Sequence, residues 1–382
     1  MEHDHSKTTA SLPGIQALRA LAASAVLLAH TGGEFDGHLS LHGVMPSFIH
    51  GGAGVDLFFV ISGFVMVYSS ERLFQERGSV RIFLTKRVIR IVPLYWAMTS
   101  VMLLRVVLRG FAESDASPTL ALASYFFIPY PRPSGPIDPL YGLGWTLNYE
   151  MMFYLIFACT LFARRAVSVA VTSFILVAMT IAHSLQLPMP RQLIFLTEPV
   201  ILEFAFGMVV ALIYRSGAIL SPMACYALTI LAFIVPAVLW WTGPPTRWEL
   251  WGIPSAILVA SIVLAKKPIF VPLFLVALGD ASYALYLIHP AVNFIVRHAA
   301  DRSLFFNPES MPWLYLAVSL CLSILAAFAV HYWFERPVSK FLKGRFGKLP
   351  KRAAAEPRLL LERHSVPKTP GPENRVRMWE SL

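Results

Sequence analysis

The sequence predicts an all-α integral membrane protein of about ten transmembrane helices with both termini in the cytoplasm. Composition is the first observation behind this: of 382 residues, 56% are hydrophobic and only 14% are charged. A soluble chain carries about 25% charged residues. The second is a mean hydropathy of +0.61, and the third is the pattern. Apolar runs recur at 13–31, 52–70, 84–108, 143–163, 166–184, 193–214, 221–241, 248–265, 272–296 and 311–334. They do not alternate as barrel strands do, so they read as helices, each near the ~20 residues that a bilayer requires. A soluble enzyme, a nucleic-acid binder and a disordered chain are excluded.

Orientation follows from the basic residues. With the N-terminus in the cytoplasm, 25 of the 32 Lys and Arg fall on the cytoplasmic side, among them Arg72 to Arg90, Arg164, Arg165, Arg215, Lys266, Lys267 and the tail from Arg336. The outer side keeps only Arg105, Arg109, Arg132, Arg191, Arg247, Arg297 and Arg302. This is the positive-inside pattern, and it accounts for the net charge of +10 without nucleic acid. The layout is a cytoplasmic segment 1–12, a membrane domain 13–340 and a basic, disordered cytoplasmic tail 341–382. The first run is read as a retained helix, because Arg19 interrupts the apolar stretch that a signal peptide needs. Cys159, Cys225 and Cys321 lie far apart inside apolar runs and read as small packing residues.

Ionisable groups at membrane depth are costly, so each is a functional candidate. In the first run Arg19 and His30 are eleven residues apart, about three turns, which sets them on one face with His30 about 16 Å further out. The second run brings Asp56 in near its outer end, at a depth similar to His30. The third opens with Arg87 and Arg90, three apart and facing the same way. Topological anchoring explains either alone, but Arg90 lies inside the run, and a fixed guanidinium pair suits a phosphate-rich ligand from the cytoplasm. After a Pro-rich outer loop, 110–142, the fourth run brings Glu150 into the outer half. Trp145 and Tyr149 beside it are interfacial aromatics or acceptor contacts. Glu203 is deeper in the sixth. The ninth has Asp280 toward the cytoplasm and His289 further out, where Pro290 is expected to kink the helix. Outer-loop His38, His42 and His50 do not form a metal set, because Gly43 and Pro46 break any helix there; no metal is expected.

These elements together resemble the integral-membrane acyltransferase family 3, which includes bacterial O-acetyltransferases of surface polysaccharides. The similarity runs through most of 14–340. It is carried by Arg19…His30, Val55 to Phe64 (VDLFFVISGF), Arg87 and Arg90 in KRVIRIVPLYW, Trp145-Thr146-Leu147…Glu150, Tyr283 to Pro290, and Phe334 to Pro337. Thr146 stands where the family has Ser and keeps the hydroxyl. The opening GIQALRALAA is similar to exopolysaccharide-acetylating members, and the chain resembles the short, stand-alone form.

The resemblance implies transfer of an acyl group, usually acetyl, from cytoplasmic acyl-CoA (acetyl-CoA) to a glycan hydroxyl at the outer side of the bacterial inner membrane. The acceptor is a surface polysaccharide or its lipid-linked precursor, with lipids and polysaccharide-biosynthesis proteins as partners. His30 is then the base, with Asp56 or Glu150 orienting its imidazole. Arg87 and Arg90 hold CoA phosphates, Arg19 meets the donor or the thioester oxyanion, and Trp145, Tyr149 and His289 contact the acceptor. Direct transfer is favoured, since no Ser or Cys is paired with a base. A transporter or flippase would also carry midplane charges, but it would show related halves with matching broken helices. A non-catalytic scaffold would not need the charge cluster.

Overall fold

The computed structural model describes residues 12–38, 52–242, 246–266, 270–303 and 311–346. Its elements are α1 (Pro13–His38), α2 (Gly52–Ser69), α3 (Ser79–Arg109), α4 (Pro118–Tyr125), α5 (Trp145–Thr160), α6 (Arg165–Ser184), α7 (Arg191–Leu196), α8 (Leu202–Arg215), α9 (Pro222–Thr242), α10 (Ile253–Val263), α11 (Leu273–Asp280), α12 (Ser282–Ala300), α13 (Pro312–Val330) and α14 (Arg336–Phe346). No strand occurs among the described residues beyond two isolated bridges.

All ten apolar runs are helical, but they are not equivalent. Among the described residues six stretches are long and apolar enough to cross a membrane: Pro13–Thr31, Ser79–Arg109, Arg165–Ser184, Arg191–Arg215, Pro222–Leu239 and Pro312–Phe346. A seventh arises if α11 and α12, bent by 72° at Ala281, count as one span. Ala53–Ser69 and Trp248–Val263 are shorter apolar helices, and α5 has 16 residues. Large apolar side chains such as Leu108, Phe174, Met223, Phe233 and Leu325 point outward on α3, α6, α9 and α13. In water such a surface would be a liability; against lipid it is the expected exterior of a multi-pass membrane protein.

The bend differs from the expected kink at Pro290, which sits inside a continuous α12. The helix breaks instead in the small, polar run Gly279-Asp280-Ala281-Ser282, where Asp280 accepts a hydrogen bond from Gln16 Nε2 of α1 at 2.7 Å. Part of the basic tail is also helical, since α14 continues to Phe346. The rest of the tail, the first eleven residues and loop residues 39–51, with His42 and His50, lie outside the described residues. The three cysteines are free, and Cys159 and Cys321 lie on the exposed surface rather than in packing. Within the Pro-rich segment 110–142, Ser117 accepts from the Leu120 amide to start α4, with Pro118 at the first helical position.

Helix α2 is the axis of the core, with Asp56, Val60, Phe64 and Val67 fully buried. It meets α8 without side-chain spacers. A Cβ on Gly63 would stand 2.1 Å from the Phe204 carbonyl oxygen, and one on Gly207 would stand 1.9 Å from that of Val60. Small residues let membrane helices approach to backbone contact. Gly207→Val is therefore expected to abolish the monodisperse peak in size-exclusion chromatography of the detergent-extracted protein. Gly344→Ala, at a position where an added Cβ meets nothing within 4 Å, is expected to leave that peak unchanged.

Candidate active site

Two cavities share part of their lining, on α1 and α3; α2, α5 and α12 complete the first, and α14 with Asp280, His331 and Glu335 the second. The narrower, about 310 Å³, is lined by Arg19, Ser62, Arg87, Arg90, Glu150 and Tyr286, among others. Arg87 is 8% exposed. Its Nη2 donates to Ser69 Oγ at 2.9 Å, and its guanidinium lies over the rings of Phe83 and Tyr154 at 5.4 and 5.8 Å. Its buried Nε has no hydrogen-bond partner among the described residues. A fixed cation with an unused donor is prepared for an anion. Arg19 donates to Gln16 at 3.0 Å, and Gln16 in turn donates to Asp280, so α1 and the bend are tied together at this level. Gln16, Arg19, Arg87 and Arg90 also line the second, wider cavity of about 1,010 Å³.

Glu150 belongs with these arginines. It accepts from Ser62 Oγ at 3.0 Å and from the Tyr154 hydroxyl one helical turn on. The sequence reading set Glu150 at the level of His30 as a possible partner for its imidazole. The structure corrects this, because Glu150 faces the arginine-lined cavity and is held there by Ser62 and Tyr154.

His30 is accessible, and its ring lies 5.1 Å from that of His289, tilted by 55°. His289 is fully buried. Its Nδ1 is 3.1 Å from the Leu285 carbonyl, which can only accept, so Nδ1 carries the proton. The remaining nitrogen, Nε2, is then an acceptor, and it has no partner among the described residues. Asn293 Nδ2 donates to Thr31 Oγ1 at 3.0 Å, clamping α12 to α1 next to His30. One turn of α12 thus carries Tyr286 into the narrow cavity and His289 against His30.

Asp56 does not orient His30. Arg247 Nε and Nη2 donate to its two carboxylate oxygens at 3.0 and 2.9 Å. Among the described residues His30 makes no hydrogen bond to either carboxylate that was expected to orient it. The reason lies in α2. Gly54 is seated on Ala22 and Val26 of α1, and at 100° per residue Asp56 points about 200° away from that contact. Ala22 and Val26 also lie one to two turns before His30 in α1, so Asp56 is displaced along the helix axis as well. Glu203, fully buried, sits within electrostatic and hydrogen-bonding range of Asp56.

Trp145 lies under the Arg247 guanidinium at 5.4 Å. Tyr149, expected to contact an acceptor, is fully buried and donates to the Phe195 carbonyl at 2.6 Å, so it packs the wall behind Trp145 instead. Sequence reasoning had counted Arg247 only as an outer-face charge and had not noticed Ser62, Tyr154 or Tyr286. Tyr154 alone was signalled, by its i,i+4 spacing from Glu150. No group of three or more His, Cys, Asp or Glu able to hold a metal occurs among the described residues.

A family model described as an acyltransferase domain matches residues 12–332, a stretch that contains every site residue named above. The exopolysaccharide production protein ExoZ of Rhizobium meliloti (strain 1021) is 34% identical over 303 residues, covering 76% of this chain and 90% of that protein. No solved structure matches. With its helical membrane body and most of its length inside that family model, the chain belongs to acyltransferase family 3 and is an acyltransferase.

Proposed function

We propose that the protein transfers an acyl group, most simply acetyl, from cytoplasmic acyl-CoA to a hydroxyl of an exopolysaccharide glycan or its lipid-linked precursor. In this reading it crosses the bacterial inner membrane ten times with both termini in the cytoplasm. The observation that carries it is the set of guanidiniums, Arg19, Arg87 and Arg90, shared by the two cavities. Phosphates of the donor suit Arg87 and Arg90, and the arm of the donor suits the narrow cavity.

The chemistry is a direct displacement. His30 takes the proton of the acceptor hydroxyl as its oxygen attacks the thioester carbonyl. Arg19 steadies the oxyanion that forms. The C–S bond then breaks, and the CoA thiolate takes up a proton, so the overall exchange is thioester plus alcohol to ester plus thiol. Trp145 offers an aromatic face to a sugar. The relative's name, which refers to exopolysaccharide production, supports a glycan acceptor here.

Membranes containing the protein, incubated with radiolabelled acetyl-CoA and exopolysaccharide, should yield labelled glycan; transport of unmodified glycan with no label transferred would refute the reading. In the same assay Arg90→Ala should raise the apparent KM for the donor about tenfold or more, the loss of one charge-assisted phosphate contact. An unchanged donor KM would remove Arg90 from the phosphate site.

A further inference from the structure

We infer that the wide cavity recognises the 3′-phosphate of a nucleotide thioester through Lys86 of α3 and through Arg336 and Lys343 of α14. The inference rests on the acyl-CoA reading above and assigns residues to a part of the donor which that reading leaves without partners.

Charge is the first argument. Arg19 of α1, Arg81, Lys86, Arg87 and Arg90 of α3, and Arg336 and Lys343 of α14 all line one space of about 1,010 Å³. Two acids face it, Asp280 and Glu335; both lie within attractive range of Arg19, but their direct partners are neutral or weakly basic, Gln16 donating to Asp280 and His331 pairing with Glu335 at 2.8 Å. Among the described residues none of the seven cations has a salt bridge, and Lys86 lies within repulsive range of both Arg87 and Lys343. Positive-inside topology explains why this face is rich in basic residues. It does not explain why three helices aim seven cations at one cavity that only two carboxylates, Asp280 and Glu335, also line. A ligand carrying several negative charges resolves that repulsion.

Position is the second argument. Arg87 and Arg90 line both cavities, so they stand at the throat; Lys86, Arg336 and Lys343 line only the wide one. A thioester whose arm fills the narrow cavity brings its pyrophosphate to the throat and leaves its ribose, with the 3′-phosphate, in the wide cavity. The Arg336 guanidinium is steadied over the Tyr332 ring at 4.9 Å, which fixes one of the three cations in advance. Carrier proteins bear their acyl group on a phosphopantetheine without a 3′-phosphate, so this second tier of charge selects the free nucleotide thioester over a carrier-bound one.

The test compares CoA with 3′-dephospho-CoA binding to the full-length protein in phosphatidylcholine nanodiscs, by calorimetry. The wild type should bind CoA at least about tenfold tighter. Lys86→Gln/Arg336→Gln/Lys343→Gln should weaken CoA to the level of 3′-dephospho-CoA and move the latter by less than about twofold. Equal affinities in the wild type would overturn the inference and leave the donor reading intact, whereas no binding of either nucleotide would overturn both. A triple variant that weakens the two ligands equally would reduce the cations to a general field. Discrimination that vanishes when phosphatidylglycerol is added would assign them to a lipid headgroup; either result overturns the inference.

Discussion

His30→Ala is expected to lower acyl transfer by about 10²- to 10⁴-fold, the usual contribution of a positioned general base, with the protein still present at normal levels in the membrane. The ring is accessible, lies against His289 and is not tied to any carboxylate among the described residues, so its removal breaks no ion pair. A helix-end histidine of no chemical consequence would give the opposite result, near-normal transfer, and that result would sink the assignment. Calorimetry on the same variant separates binding from chemistry. CoA affinity should hold, because the cationic lining of both cavities is untouched. Asn293 and Thr31 still clamp α12 to α1, so the backbone around the missing ring keeps its position.

Arg247→Ala is expected to be the most destabilising substitution at the other cluster. It strips two hydrogen bonds from Asp56, which is 0% exposed, and leaves that charge beside the equally buried Glu203. Breaking one side of a buried ion pair costs about 3–5 kcal/mol, and the 38% exposure of the Arg247 side chain favours the lower end of that range through solvent screening. The loss should show as a lower melting temperature in detergent. Adding Asp56→Asn to Arg247→Ala should recover much of it by removing the stranded charge. A double variant no more stable than Arg247→Ala would mean that the guanidinium acts through its contact with Trp145 and not through the carboxylate.

What the sequence made legible was what local pattern encodes. The ten apolar runs became helices because a run of Leu, Ile, Val and Phe in lipid has no other way to satisfy its backbone. Arg19, Arg87 and Arg90 came together because helical spacing already aligned two of them. Helix rotation and long-range pairing were not legible. Asp56 and Arg247 are 191 residues apart, and only the seating of Gly54 on α1 turns Asp56 toward its partner. Glu150 likewise looked like an outer-half residue until Ser62 of α2 was seen to hold it. The bend at Ala281 did have a signal, the Gly-Asp-Ala-Ser run, but Pro290 is the louder helix breaker and drew the reading to itself. Ser117-Pro118 announced α4 in the ordinary way of a capped helix start, hidden in a loop read only as Pro-rich.

The arginines at the throat bear also on what the protein must not let through. A polar cavity inside a membrane protein is also a potential route for small cations. Arg19, Arg87 and Arg90 line both cavities, and fixed guanidiniums repel hydronium and metal cations. An anionic ligand would neutralise that barrier only while it occupies the cavity. The residues that suit an anionic substrate therefore also keep the resting enzyme from becoming a leak.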